Sequence, residues 1–288
     1  MHCEFDFKYG ITLFMQCPFG KAGWYPSDEK ILRKRLSSYL LNTLHKSQVS
    51  AIIAPHAGYS YCGSILGHAF GATQNQKINH VIIIGPSHYE YLNNEFHVPK
   101  HTVMSTEIGE SKINQGFINQ IKRIKNSKKK ETLFIKEHSI WMMLPFIQTL
   151  HPDAEISPII IGDITLEMVQ ELSEQIKANQ DESTLLVISS DFTHYGTAFN
   201  YTPFIGHIPN EIKKFDQLAF EFIKTKNSKG FWHWFHENET TICGRYAISV
   251  LLETLNHEKL ITSQYLQSGE LNENWAHSVS YQSAVFSQ

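Results

Sequence analysis

The chain has 288 residues, 42% hydrophobic and 18% charged, with a formal net charge of -3. That is enough for one large α/β domain over residues 1–288 without a second core. The slightly acidic balance, with a pI near 6.6, gives no electrostatic reason to expect nucleic acid or an anionic membrane as a partner. No stretch of about 18 consecutive apolar residues occurs, so no membrane span is expected.

The first eight residues, MHCEFDFK, carry acids where a secretory signal carries bases. Cys3, Cys17, Cys62 and Cys243 form no C-x-x-C pair and do not read as a disulfide framework, so a cytoplasmic location is expected. In chain order, residues 28–44 repeat apolar positions at helical spacing after Ser27 as N-cap, and residues 50–54 form a strand. A second strand follows at 80–84. The basic run 122–130 reads as a solvated helix end and loop, because aromatic residues that would stack on bases are missing from its flanks. Residues 139–150 are helical in character, with Pro145 expected to kink or start a segment. Then come a strand at 156–161, a helix at 166–176 capped by Thr165, a strand at 184–189, helices at 211–224 and 246–255, and a last strand at 278–286. The four internal strands are rich in Ile and Val without polar alternation, as in a mostly parallel sheet flanked by helices.

Three of those strands end in residues able to bind metal or move protons. The run AIIAPH ends in His56, VIIIGPSH in His88, and LLVISSD in Asp191 with His194 three residues on. Ligand crevices of open α/β sheets lie outside the carboxyl ends of the strands, so these side chains are expected at one sheet edge. Glycines after His56 are expected to permit tight turns, and Gly85-Pro86-Ser87 to aim His88 back over its strand. Either histidine alone would serve as well in a structural role; paired at equivalent positions they indicate a site. Cys243 precedes a helical pattern, where the helix N-terminus and Arg245 should favour the metal-binding thiolate; a small buried hydrophobe is the other reading. Asp191 and His194 are expected to share one side of a helix's first turn, the carboxylate orienting a ring, ligating metal, accepting a proton or merely capping the turn. His138, in Glu137-His138-Ser139, is expected to donate to an oxyanion or to pack at a helix start.

At these residues the chain resembles the Memo family, whose fold is similar to that of the class III, non-haem-iron extradiol dioxygenases. The matching segments are IAPHAGY (53–59), GPSH (85–88), EHS (137–139), SSDFTHYG (189–196) and ICGR (242–245), in order. The resemblance implies a pocket that binds iron or copper, with zinc as a further option, through His56, His88 and Cys243. Asp191, His194 and His138 would surround it as catalytic groups, and Tyr59, Ser87, Tyr195 and Arg245 would contact a small molecule or peptide. Two departures concern one pocket wall: the family usually continues the Glu-His-Ser element with an acid and a polar residue, where this chain has Trp141 and Met143, and residues 21–25 read KAGWY without the family's preceding histidine.

Two imidazoles and a thiolate suit iron, copper or zinc better than magnesium or calcium. The leading expectation is therefore a metal-binding protein with redox activity and an oxygenase-like pocket. The alternatives are a non-haem-iron dioxygenase with His194 as general acid/base, a peptide-binding module using Arg245, Trp24 and Tyr25, and a cysteine hydrolase pairing Cys243 with His194.

Overall fold

Residues 14–40 and 47–288 are described in the computed structural model of the chain. The four hydrophobic runs become the strands Val49–Ala54, His80–Pro86, Glu155–Ile161 and Thr184–Ser189. They lie side by side and parallel, with Ala54 opposite Ser189 and Ile84 opposite Ile188. Every residue of Val49–Ala54 and Thr184–Ser189 is buried, which explains the missing alternation. Each fully buried Ile or Leu there contributes about 2 kcal/mol of burial free energy. Because the four strands run the same way, residues 55–56, 87–88, 162–163 and 190–191 leave the sheet along one edge.

Among the described residues, five further strands extend this parallel centre to a mixed sheet of nine. His277–Ser287 pairs with Val49–Ala54 and carries both Lys259–Gln267 and His194–Gly196. On the other side Phe96–Val98 runs antiparallel to Glu155–Ile161 and pairs with Ser127–Lys129. A separate small sheet joins Phe14–Gln16, Val103–Ser105 and Glu110–Lys112. Helices flank the central sheet: Glu29–Tyr39, Tyr59–Gly71 and Leu144–Leu150 pack together, as do Leu166–Asn179 and Arg245–Thr254. Pro145 sits in the first turn of Leu144–Leu150, so the segment starts there, separated from His138–Trp141. No helix among the described residues is long and apolar enough to cross a membrane.

Several local expectations change. Asp28, not Ser27, caps the first helix, its carboxylate accepting Ile31 N–H at 2.9 Å; that helix ends at Tyr39, and residues 41–44 lie outside the described residues, as does Cys3. Part of the basic run is an edge strand, Ser127–Lys129, whose Lys128 pairs with Glu95. Asp191 and His194 do not open a helix: His194 begins the strand His194–Gly196, held by Val279 opposite it. Gly63 serves close packing rather than a turn, since a Cβ there would lie 2.4 Å from the Tyr39 ring.

Burial pushes the imidazoles of His80 and His151 down to about 4, the Asp181 carboxylate opposing this for His80. The unfolded chain takes up these protons near pH 6.5. The folded chain resists until about pH 4, so both histidines contribute stability at neutral pH that is lost as pH falls through that window. Thermal melts are expected to show Tm falling from pH 6.5 toward 4, with a shallower fall in His151→Gln; an identical slope in the variant contradicts this role.

Candidate metal centre

The network around His56 fixes which ring nitrogen carries its proton. Ser189 Oγ donates to Ser139 O at 2.6 Å, leaving only lone pairs to face His56 Nδ1 at 2.7 Å. His56 is therefore protonated at Nδ1 and keeps the Nε2 lone pair, the form that binds metal. Asp191 Oδ1 accepts the His56 backbone N–H at 2.8 Å and ties the two neighbouring strand ends together. Nε2 faces Cys243 Sγ at 3.3 Å.

His88 is held the same way by a carboxylate. Glu137, fully buried, accepts the His88 ring Nδ1–H at 2.8 Å and its backbone N–H at 2.7 Å, and also takes the Ser139 N–H at 3.1 Å. That leaves Nε2 as the ring nitrogen available to a metal ion. A carboxylate behind a histidine fixes ring orientation and raises ligand basicity.

His138 is the third imidazole. His56, His88 and His138 each offer a ring nitrogen within 4.8 Å of the others, and the three could hold a metal ion. His138 Nδ1 is buried without a hydrogen-bond partner, 3.6 Å from Glu137 Oε1. A buried lone nitrogen of this kind is costly unless something binds it. Cys243 Sγ accepts Asp191 N–H at 3.2 Å and lies 3.5 Å from Asp191 O. In a tetrahedral site with metal–nitrogen near 2.1 Å and metal–sulfur near 2.3 Å, nitrogen and sulfur sit about 3.6 Å apart, so the observed 3.3 Å needs only a small adjustment. The three imidazoles could hold a metal ion, with Cys243 Sγ beside one of them.

Charge in the cluster is unevenly divided. Burial, reinforced by the neighbouring imidazoles of His88, His138 and His194, drives His56 well below its ordinary value. Burial likewise lowers His138 to about 3, with Glu137 opposing. For His88 burial acts downward too, but hydrogen bonds to Cys243 and Glu137 outweigh it and hold the ring at about 10. Burial raises Asp191 to about 7 against the stabilising His56 N–H and His88. His194 Nδ1 lies 3.0 Å from Phe192 O and 3.1 Å from Thr241 O, so Nδ1 carries the proton and Nε2 keeps its lone pair; burial lowers the ring to about 4.

Two clefts reach this cluster. One, of about 460 Å³, is walled by His138, Asp191, His194 and His277 with Trp24 and Phe199. The other, of about 250 Å³, has His88 and Cys243 beside Ser87, Asp163, Thr241 and Arg245. Tyr59, expected at a ligand, is 2% exposed, lines neither cleft and spends its hydroxyl on Met142 O. Tyr195 also lines neither, stacking on Phe204. Tyr25 is buried with its hydroxyl on Cys17 Sγ, which removes it as a peptide contact. Trp141 and Met143 are fully buried and form no cleft wall, so the departures there alter the core. Cys243 Sγ lies against His56 Nε2, and the His194 ring is bonded to the Phe192 and Thr241 carbonyls instead, so the hydrolase pairing of Cys243 with His194 is not seen among the hydrogen bonds of the described residues.

Glu137, Ser189, Asp163 and His277 were not singled out from sequence. Glu137 stands beside His138 and Ser189 ends its strand two residues before Asp191, so both lie within recognised motifs. Asp163 follows the fourth buried strand by two residues, as His56, His88 and Asp191 follow theirs.

The family model described as Memo-like protein matches residues 20–285. A MEMO1 family protein of Schizosaccharomyces pombe is 29% identical over 301 residues, covering 92% of this chain and 96% of that protein. The memo-1 homolog of Caenorhabditis elegans is 29% identical, covering 92% and 80%, and MEMO1 of Xenopus laevis is 30% identical, covering 80% and 81%. Among solved structures, an uncharacterized protein from Escherichia coli K12 aligns with a TM-score of 0.44 at 10% identity over 81% of this chain and 99% of that one.

Proposed function

Because the chain belongs to the Memo family, we propose that it is a metal-binding protein whose pocket holds iron or copper through His56, His88 and Cys243, with His138 completing the wall. The observation that carries this reading is the pair of imidazoles whose Nδ1–H groups are fixed on Ser189 and Glu137, leaving both Nε2 atoms for a metal, with Cys243 Sγ 3.3 Å from that of His56. A bound iron or copper would supply one-electron redox chemistry and polarise a ligand oxygen.

The protein's own groups divide the remaining work. Asp191 fixes His56 through its backbone. His194, with its Nδ1–H held by two carbonyls, offers the Nε2 lone pair as acceptor to a hydroxyl-bearing ligand in the larger cleft. Elemental analysis of untagged protein is expected to find about one iron or copper per chain, lost in His56→Ala; metal no higher than in that variant overturns the reading.

The fixed His194 tautomer favours a second reading, a non-haem-iron dioxygenase. It predicts O₂ uptake with Fe(II) and a catechol, slowed about 10²- to 10⁴-fold by His194→Ala. No uptake across a broad catechol panel removes it.

A further inference from the structure

The smaller cleft carries a charge pair that the metal reading leaves unused. Asp163 stands two residues beyond Glu155–Ile161, where its backbone N–H donates to Leu92 O at 2.9 Å and its carbonyl accepts Asn94 N–H at 2.6 Å. Its carboxylate is thereby presented from a fixed loop. Arg245 opens the helix Arg245–Thr254 from the opposite wall and stacks over the Tyr246 ring at 5.0 Å. The guanidinium reaches Asp163 Oδ1 at 3.3 Å and Ile242 O at 3.4 Å.

Both bonds are long beside the usual 2.9 Å or so, and a guanidinium with five donors can exchange them for bonds to a ligand. The side chains are 28% and 40% exposed, so the pair contributes little and a ligand separates it at small cost. An anion alone would meet the Asp163 carboxylate, and a cation alone the Arg245 guanidinium. A molecule bearing both charges on neighbouring atoms satisfies each. The rest of the wall is mixed: Ser87, His88, Glu90, Thr241 and Cys243 are polar, with the Glu90 carboxylate paired to Lys130, while Pro86, Leu92, Ile161, Tyr246 and the 79% exposed Tyr91 give it an apolar and aromatic part. About 250 Å³ accommodates a single amino acid and not a longer peptide.

We propose that this cleft binds a free α-amino acid, its carboxylate on Arg245, its ammonium on Asp163 and its apolar side chain among Leu92, Tyr91 and Tyr246. The inference rests on the metal reading only in placing the ligand beside His88 and Cys243; the charge recognition itself needs no metal.

The test is calorimetric titration of the full chain with L-phenylalanine, N-acetyl-L-phenylalanine and L-phenylalanine methyl ester, with metal content measured on the same samples. The free amino acid is expected to bind about tenfold or more tightly than either derivative, since each loses one charge-assisted partner. Asp163→Asn is expected to erase the preference over the N-acetyl compound, and Arg245→Gln the preference over the ester, changes that a merely structural pair would not produce. Equal binding of all three compounds to the unmodified chain, or none at millimolar concentration, overturns the proposal whether or not the variants fold. Full metal without amino-acid binding sinks this inference and leaves the metal centre standing. Amino-acid binding without metal does the reverse.

Discussion

Replacing Glu137 by glutamine is expected to weaken iron or copper binding about 10- to 100-fold, as measured by competition with a chelator. The carboxylate uses one oxygen for the His88 ring and Ser139 N–H and the other for His88 N–H. An amide has a single acceptor oxygen, so its NH₂ group must face one of those N–H donors, and the ring loses its orientation. In the metal-free protein His88 is protonated at neutral pH and must release that proton to a metal, so affinity in the unmodified chain rises with pH toward 10. Unchanged affinity in Glu137→Gln, or affinity independent of pH, contradicts this role.

Asp216→Ala is expected to lower folding stability by about 3 kcal/mol, read from urea or thermal unfolding. Asp216 is 1% exposed and accepts Thr193 Oγ at 2.6 Å, Thr193 N at 3.3 Å and Tyr265 OH at 2.7 Å. Removal strands these buried donors, each worth about 1–3 kcal/mol when unsatisfied. Burial raises the Asp216 carboxyl to about 6 despite hydrogen bonds from Ser280, Thr193 and Tyr265. Its folded value thus exceeds the unfolded 3.8, so the folded state holds the proton longer and stability falls as pH rises from about 4 to 6. Asp216→Asn stays neutral, and its deficit relative to the unmodified chain should shrink across that interval. A constant deficit would show that the carboxyl does not titrate there.

The parallel centre of the fold was legible because burial on both faces writes itself as unbroken Ile and Val, and the common direction of those strands then placed His56, His88 and Asp191 together. His194 was misplaced because Phe192-Thr193-His194 looks like a helical turn locally, whereas pairing with Val279 over eighty residues away makes it a strand. Nothing local announces such a partner. Ser27 and Asp28 are both good caps, and only the backbone decides between them. Tyr59 and Tyr195 sit inside motif segments yet point into packing, since a motif fixes chain position but not the side chain's direction. Glu137 and Ser189 matter through the ring nitrogen they immobilise, a relation across 49 and 133 residues that spacing does not reveal. Asp163 was within reach, because the rule that located His56 and His88 applies unchanged to the fourth strand.

Crystals of untagged protein, measured for anomalous scattering on both sides of the iron and copper edges, test the central claim most directly. The account predicts one ion about 2.0–2.3 Å from His56 Nε2, His88 Nε2 and Cys243 Sγ. An ion bound elsewhere, or none at this cluster in metal-replete crystals, would contradict it.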